Sequence, residues 1–126
     1  MTGIRFYKGA GNNGTHIGLL YYSTGTVLAQ ATFSGETASG WQQVNFSSAV
    51  SIAANTTYIA AFFTTSGYAY TVNQFTSSGV DNPPLHGLQS GVDGPNGVFM
   101  FGSTPQFPSS SYGDTNYWAD LLFTAN

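Results

Sequence analysis

The chain predicts an all-β protein, an antiparallel, jelly-roll-like β-sandwich of about nine strands. Three observations carry this. Apolar and polar residues alternate in short runs of strand length. Turns rich in Gly, Asn and Ser separate these runs at intervals of about 8–14 residues. No stretch repeats apolar residues at helical spacing. Residues 1–126 are read as a single module, since no change of composition marks an internal boundary.

TGIRFYK (2–8) alternates, with Ile4 and Phe6 on one face and Arg5 and Tyr7 on the other. GAGNNG (9–14) is a loop. HIGLLYY (16–22) and TVLAQATF (26–33) form a hairpin about a Ser-Thr-Gly turn. After SGETASG (34–40), WQQVNF (41–46) places Trp41, Gln43 and Asn45 on one side and Gln42, Val44 and Phe46 on the other. AVSIA (49–53) and TTYIAAFFT (56–64) follow, the second apolar enough for a central strand. YAYTVNQF (68–75), GVFMF (97–101) and NYWADLLFT (116–124) complete the strands. Between them, GVDNPPLHGLQSGVDGPNG (79–97) has no period, and only residues 82–90 leave room for a short helical turn, with Pro83-Pro84 at its start. Trp41, Phe46, Tyr58, Phe62, Phe99, Phe101 and Phe123 are expected in the core as period-2 positions.

Apolar residues make up 41% of the 126, enough for a real core, and charged residues only 6%, so the surface is Ser, Thr, Asn, Gln and Gly. Arg5 and Lys8 are the only Lys or Arg residues and the net charge is −3, which excludes a phosphate-neutralising nucleic-acid surface and binding to anionic membranes. No apolar run is long enough to insert into a membrane. The absence of cysteine removes disulfides and thiolate chemistry. Met1 runs straight into a strand-like segment, so no signal peptide is expected in this sequence; if the natural protein is exported, as the Lys-poor, Ser/Thr/Asn-rich composition suggests, the sequence is a mature piece or an excised module.

The chemistry-bearing residues are few. Two carboxylates would be needed for glycoside hydrolysis, and Glu36, Asp81, Asp93, Asp114 and Asp120 are the whole supply. Asp81 and Asp93 each follow Gly-Val in a turn, where capping the turn is the better reading. His16 and His86 lack a nucleophile elbow or metal-ligand spacing, so no enzyme is expected. Calcium is the metal that the oxygen-rich loops suit, with Asp81, Asn82 and Asp93 as ligands. Asn, Gln, Asp and His can satisfy sugar hydroxyls, and aromatic rings can take the apolar face of a pyranose. Tyr68, Tyr70, His86, Asn96, Phe107, Tyr112 and Trp118 are the candidate ligand-binding residues. Loop 79–97, stapled by its own Asp and Asn side chains, would form one wall of a shallow groove and residues 103–117 the other.

TGIRFYKGAGNNGTHIG, ETASGWQQVNF, TTYIAAFF, GVDNPPLHGL, GVDGPNGVFMFG, FPSSSY and NYWADLLF occur in this order along nearly the whole chain. With them the sequence resembles the bacterial domain of unknown function numbered 4082. The resemblance implies an extracellular or cell-surface β-sandwich module of large bacterial proteins, found in tandem or beside carbohydrate-active and adhesive domains, with no assigned activity. It also implies a further strand before residue 2. Without that strand an open edge is expected beside residues 2–8 or their neighbour, and through it a homo-oligomer by strand pairing.

Two function classes follow. One is a non-catalytic binding module, carbohydrate-binding or adhesive, whose partner is a polysaccharide or glycan. The alternative is a structural spacer or a self-assembling surface or filament subunit that uses the open edge.

Overall fold

The computed structural model describes residues 1–125. It is all-β, with ten strands among the described residues, all paired antiparallel. These residues gather into two compact units: 1–69, 103–105 and 118–125 form the first, and 70–102 and 106–117 the second.

In the first unit, the alternation of residues 2–8 becomes β1 (Gly3–Lys8), with Ile4 and Phe6 fully buried and Tyr7 exposed. β2 (Ile17–Tyr22) and β3 (Val27–Thr32) form the expected hairpin, closed by Tyr22 N–H donating to Thr26 O at 2.9 Å. β4 (Gly40–Asn45) and β5 (Tyr58–Phe63) follow. β10 (Ala119–Leu122) returns to β1, so one sheet has the order β10-β1-β4 and the other β3-β2-β5.

The two sheets pack in a sandwich-like arrangement through the inner faces of β1 and β2. Phe6 stacks on Phe62 at 4.6 Å between ring centroids and meets Phe33 edge-on at 4.9 Å. Ile4, Phe6 and Leu20 are each worth roughly 1.5–3 kcal/mol for full burial. Gly18 lets the layers approach: a Cβ there would lie 2.9 Å from the Ile4 Cβ. Leu19 and Tyr21, on the other face of β2, are buried as well, and burial pushes the Tyr21 hydroxyl above its usual range.

The open edge expected beside residues 2–8 or their neighbour does not fall on β1 itself but on the strands next to it. β1 is hydrogen-bonded on both sides, to β10 and to β4. The outer positions of that sheet belong to β4 and β10.

Two expected strands do not form. In AVSIA (49–53), Val50 exchanges both backbone hydrogen bonds with Met1 and the ladder goes no further. In YAYTVNQF (68–75), Thr71 and Asn116 form an isolated bridge, and Asn73 then turns the chain at φ 63°. A short polar side chain tolerates that conformation. Residues 82–90 hold no helical turn. The second unit instead contains the hairpin β6 (Val80–Asn82) and β7 (Leu85–Gly87), joined by cis Pro83-Pro84, and the short pair β8 (Val98–Phe99) and β9 (Ser110–Ser111).

Candidate functional site

The loop 79–97 is built largely by its own side chains. Across the β6–β7 hairpin Asp81 faces His86, and the carboxylate lies 2.8 Å from the imidazole Nδ1. Asn96 donates from Nδ2 to Leu88 O at 2.6 Å and accepts the Gly97 N–H at 2.7 Å, while its own N–H donates to Ser90 Oγ. The Asn96 side chain thus holds the loop, a local Asx-type staple. Gly97, at φ 80°, lies so close to Thr115 that an added Cβ would overlap the Thr115 backbone. Asp114, also left-handed at φ 45°, accepts the Thr76 hydroxyl at 2.9 Å. The Ser90 and Thr76 hydroxyls hold its carboxyl below the usual carboxylate range.

Of the loop residues singled out as ligand contacts, Tyr70, His86 and Tyr112 are exposed, Tyr112 at 74%, and Phe107 is half-buried. All lie in the second unit, with Asn96. Tyr68, exposed, and Trp118, half-buried, belong to the first unit. Asp81, Asn82 and Asp93 are exposed, and Asp81 is engaged with His86. Among the described residues no group of three or more His, Asp or Glu side chains converges to hold a metal ion.

A different surface stands out in the first unit. On the outer face of the sheet β10-β1-β4, Tyr7 lies directly opposite Trp41, and Arg5 lies between Gln43 and Asp120. The Tyr7 and Trp41 rings meet edge-on at 5.7 Å, and Trp41 meets Trp118 edge-on at 6.5 Å. The Arg5 guanidinium sits over Trp41, 4.7 Å from the ring centroid, and donates from Nη2 to the Asp120 carboxylate. Gln43 and Asn45 are exposed on the same face. Trp118 extends the ladder, its carbonyl accepting the Tyr7 N–H at 3.0 Å, but at φ 58°. A bulky side chain in the left-handed region costs about 1–3 kcal/mol and persists only where the surroundings fix it.

Trp41 was expected in the core and is 44% exposed; Gln42 points inward instead. Two things turn the strand this way. Val44 and Phe46 share the Gln42 face and take the interior. Gln42 also caps the preceding loop, donating to Thr37 Oγ1 at 2.7 Å and Gly40 O, and accepting Thr37 N–H at 2.9 Å. Phe101, also expected in the core, is 77% exposed beyond the end of β8, where no ladder covers it, and its ring rests on Phe99. Phe46 is buried as expected.

At the inner end of β1 lies an ionic cluster that the sequence did not reveal. The Glu36 carboxylate is 3.2 Å from Lys8 Nζ and 2.9 Å from His16 Nδ1, with side-chain exposures of 13% for Glu36, 9% for Lys8 and 0% for His16. The other ring nitrogen of His16 is 2.9 Å from Asn12 Oδ1, which also accepts the Thr64 and Ser66 hydroxyls. The cluster ties loops 9–14, 34–40 and 64–67 to the strand.

The family described as Domain of unknown function (DUF4082) matches residues 1–119. The chain belongs to this family. No curated protein and no solved structure matches it. The match runs through both compact units and covers Tyr7, Trp41 and Trp118 of the sheet face.

Proposed function

We propose that this DUF4082 chain is a non-catalytic carbohydrate-binding module of a bacterial extracellular or surface protein, and that its ligand rests on the outer face of the sheet β10-β1-β4. The observation that carries this reading is the cluster of exposed Tyr7 and Trp41 with half-buried Trp118, flanked by the amides of Gln43 and Asn45. Aromatic rings take the C–H face of a pyranose, and neighbouring amides both donate to and accept from its hydroxyls. A strained backbone at Trp118 is of the kind that clusters at binding sites. The carboxylates also favour binding over hydrolysis. Glu36, Asp81 and Asp120 are each engaged with a basic partner.

The test is native affinity electrophoresis through gels containing soluble polysaccharides, with Trp41→Ala, Tyr7→Ala and the loop variants Tyr70→Ala and Tyr112→Ala. Losing one stacked ring weakens binding about tenfold. Retardation lost in the sheet-face variants and kept in the loop variants supports the site. The opposite pattern moves the site to the second unit. Retardation by no polysaccharide leaves the structural-spacer role.

A further inference from the structure

Resting on that reading, we infer that the ligand is an uncharged polysaccharide rather than an acidic one, because every basic group of the chain already has an oxygen partner. The chain carries 2 Lys and Arg residues and 2 histidines at a net charge of −3. Arg5, the only basic side chain on the aromatic face, lies against Trp41 and is ion-paired with Asp120. Lys8 is buried against Glu36 and donates to Thr37 O at 3.1 Å. His16 is enclosed between Glu36 and Asn12. His86 faces Asp81. The N-terminal ammonium donates to Val50 O at 2.7 Å.

A uronate or sulfate group on a glycan would therefore meet an acidic protein with no uncommitted cation. To bind, it would have to displace Asp120 from Arg5 or take an acceptor site beside it. Uncharged hydroxyls need neither. The exposed amides of Gln43 and Asn45 supply donors and acceptors without charge. In this arrangement Arg5 lies against the Trp41 ring, paired with Asp120, and does not receive an anion. Binding that lacks an ionic component is nearly indifferent to salt, whereas capture of an acidic polymer weakens as screening grows.

The experiment uses the intact chain. Affinity gels are cast with uncharged polymers (hydroxyethylcellulose, xyloglucan, laminarin, galactomannan) and with acidic ones (polygalacturonate, alginate, hyaluronan). They are run at low salt and at ~0.5 M salt, where the screening length is only a few ångströms. At least one uncharged polymer should retard the protein, with a dissociation constant that changes less than about twofold between the two salt conditions. Trp41→Phe and Gln43→Ala, each checked for folding by circular dichroism, should weaken that retardation. If an acidic polymer binds more tightly than every uncharged one, and loses that advantage in high salt or in Arg5→Gln, the inference is overturned while the binding role stands. If no polymer of either kind retards the protein, the binding role itself falls and the inference with it.

Discussion

Replacing Glu36 by glutamine keeps the shape of the side chain and removes the one negative charge that Lys8 and His16 share. Lys8 would keep its bond to Thr37 O, and His16 its contact with Asn12, but neither would retain an anionic partner. At 9% and 0% side-chain exposure, water cannot replace it. Breaking a buried pair by removing one partner costs about 3–5 kcal/mol, a large share of the ~5–15 kcal/mol that holds a domain folded. For 126 residues the unfolding entropy is about 0.26 kcal/mol/K, so a loss of about 4 kcal/mol lowers the melting temperature by about 15 °C. Urea unfolding followed by the fluorescence of Trp41 and Trp118 reads the same quantity in the first unit. Asp120→Asn is the contrasting control. It removes the partner of Arg5 at a pair exposed by 35% and 47%, and should cost less than about 1 kcal/mol. Replacing the cluster as a whole by Lys8→Met, His16→Phe and Glu36→Leu should recover most of the loss. A Glu36→Gln protein that melts within about 2 °C of the parent would refute the view that the cluster is sealed from solvent.

Gly18→Ala should destabilise by about 1–3 kcal/mol, because the new methyl group meets Ile4 at 2.9 Å and Phe33 at 3.2 Å between the sheets; chemical denaturation measures it. Gly97→Ala should be costlier than a surface change, at about 2 kcal/mol or more, since it combines φ 80° with overlap on the Thr115 backbone; loss of amide-exchange protection in 88–97 and 113–116 would report it. Asp114 has a folded-state pKa below its unfolded value. Its contribution to stability is therefore present above the unfolded pKa and fades as pH falls through the folded one. Asp114→Asn should remove that portion of the acid sensitivity of the second unit, so a denaturation profile between neutral pH and pH ~3 that is identical in the two proteins would contradict it.

The sequence reading reached the strands whose alternation is enforced by a shared core. Residues 2–8, 16–22, 26–33, 41–46 and 56–64 all form strands within a residue or two of their expected bounds. It failed where pairing, not pattern, decides. Residues 49–53 and 68–75 alternate well enough, yet each forms a reciprocal backbone pair at one position only, Val50 with Met1 and Thr71 with Asn116. The hairpin of β6 and β7 was invisible for the converse reason: three residues on either side of Pro83-Pro84 are too few to show a period. For the candidate site, the two faces of 41–46 were correctly separated, but Trp41 and Phe46, on opposite faces, were both assigned to the interior, and only Phe46 is buried. Counting apolar residues per face, rather than ranking the largest, would have placed Trp41 outside. The approach of Trp118 to Trp41 could not be read at all, since it depends on β10 pairing with β1 across nearly the full length of the chain.

That pairing sets the order in which the chain can assemble. Gly3 is opposite Leu122, so β1, the earliest of the described strands, waits for β10, the latest of them, before its sheet is complete. Between the synthesis of β4 and that of β10, β1 has β4 on one flank and bare N–H and C=O groups on the other, the condition under which nascent β-proteins adhere to their neighbours. Closing so long a loop is also slow, because its entropy is lost before the contacts are gained. Refolding yield should therefore fall steeply with protein concentration, and a chain shortened to end before residue 119 should accumulate as aggregate rather than as a smaller folded domain.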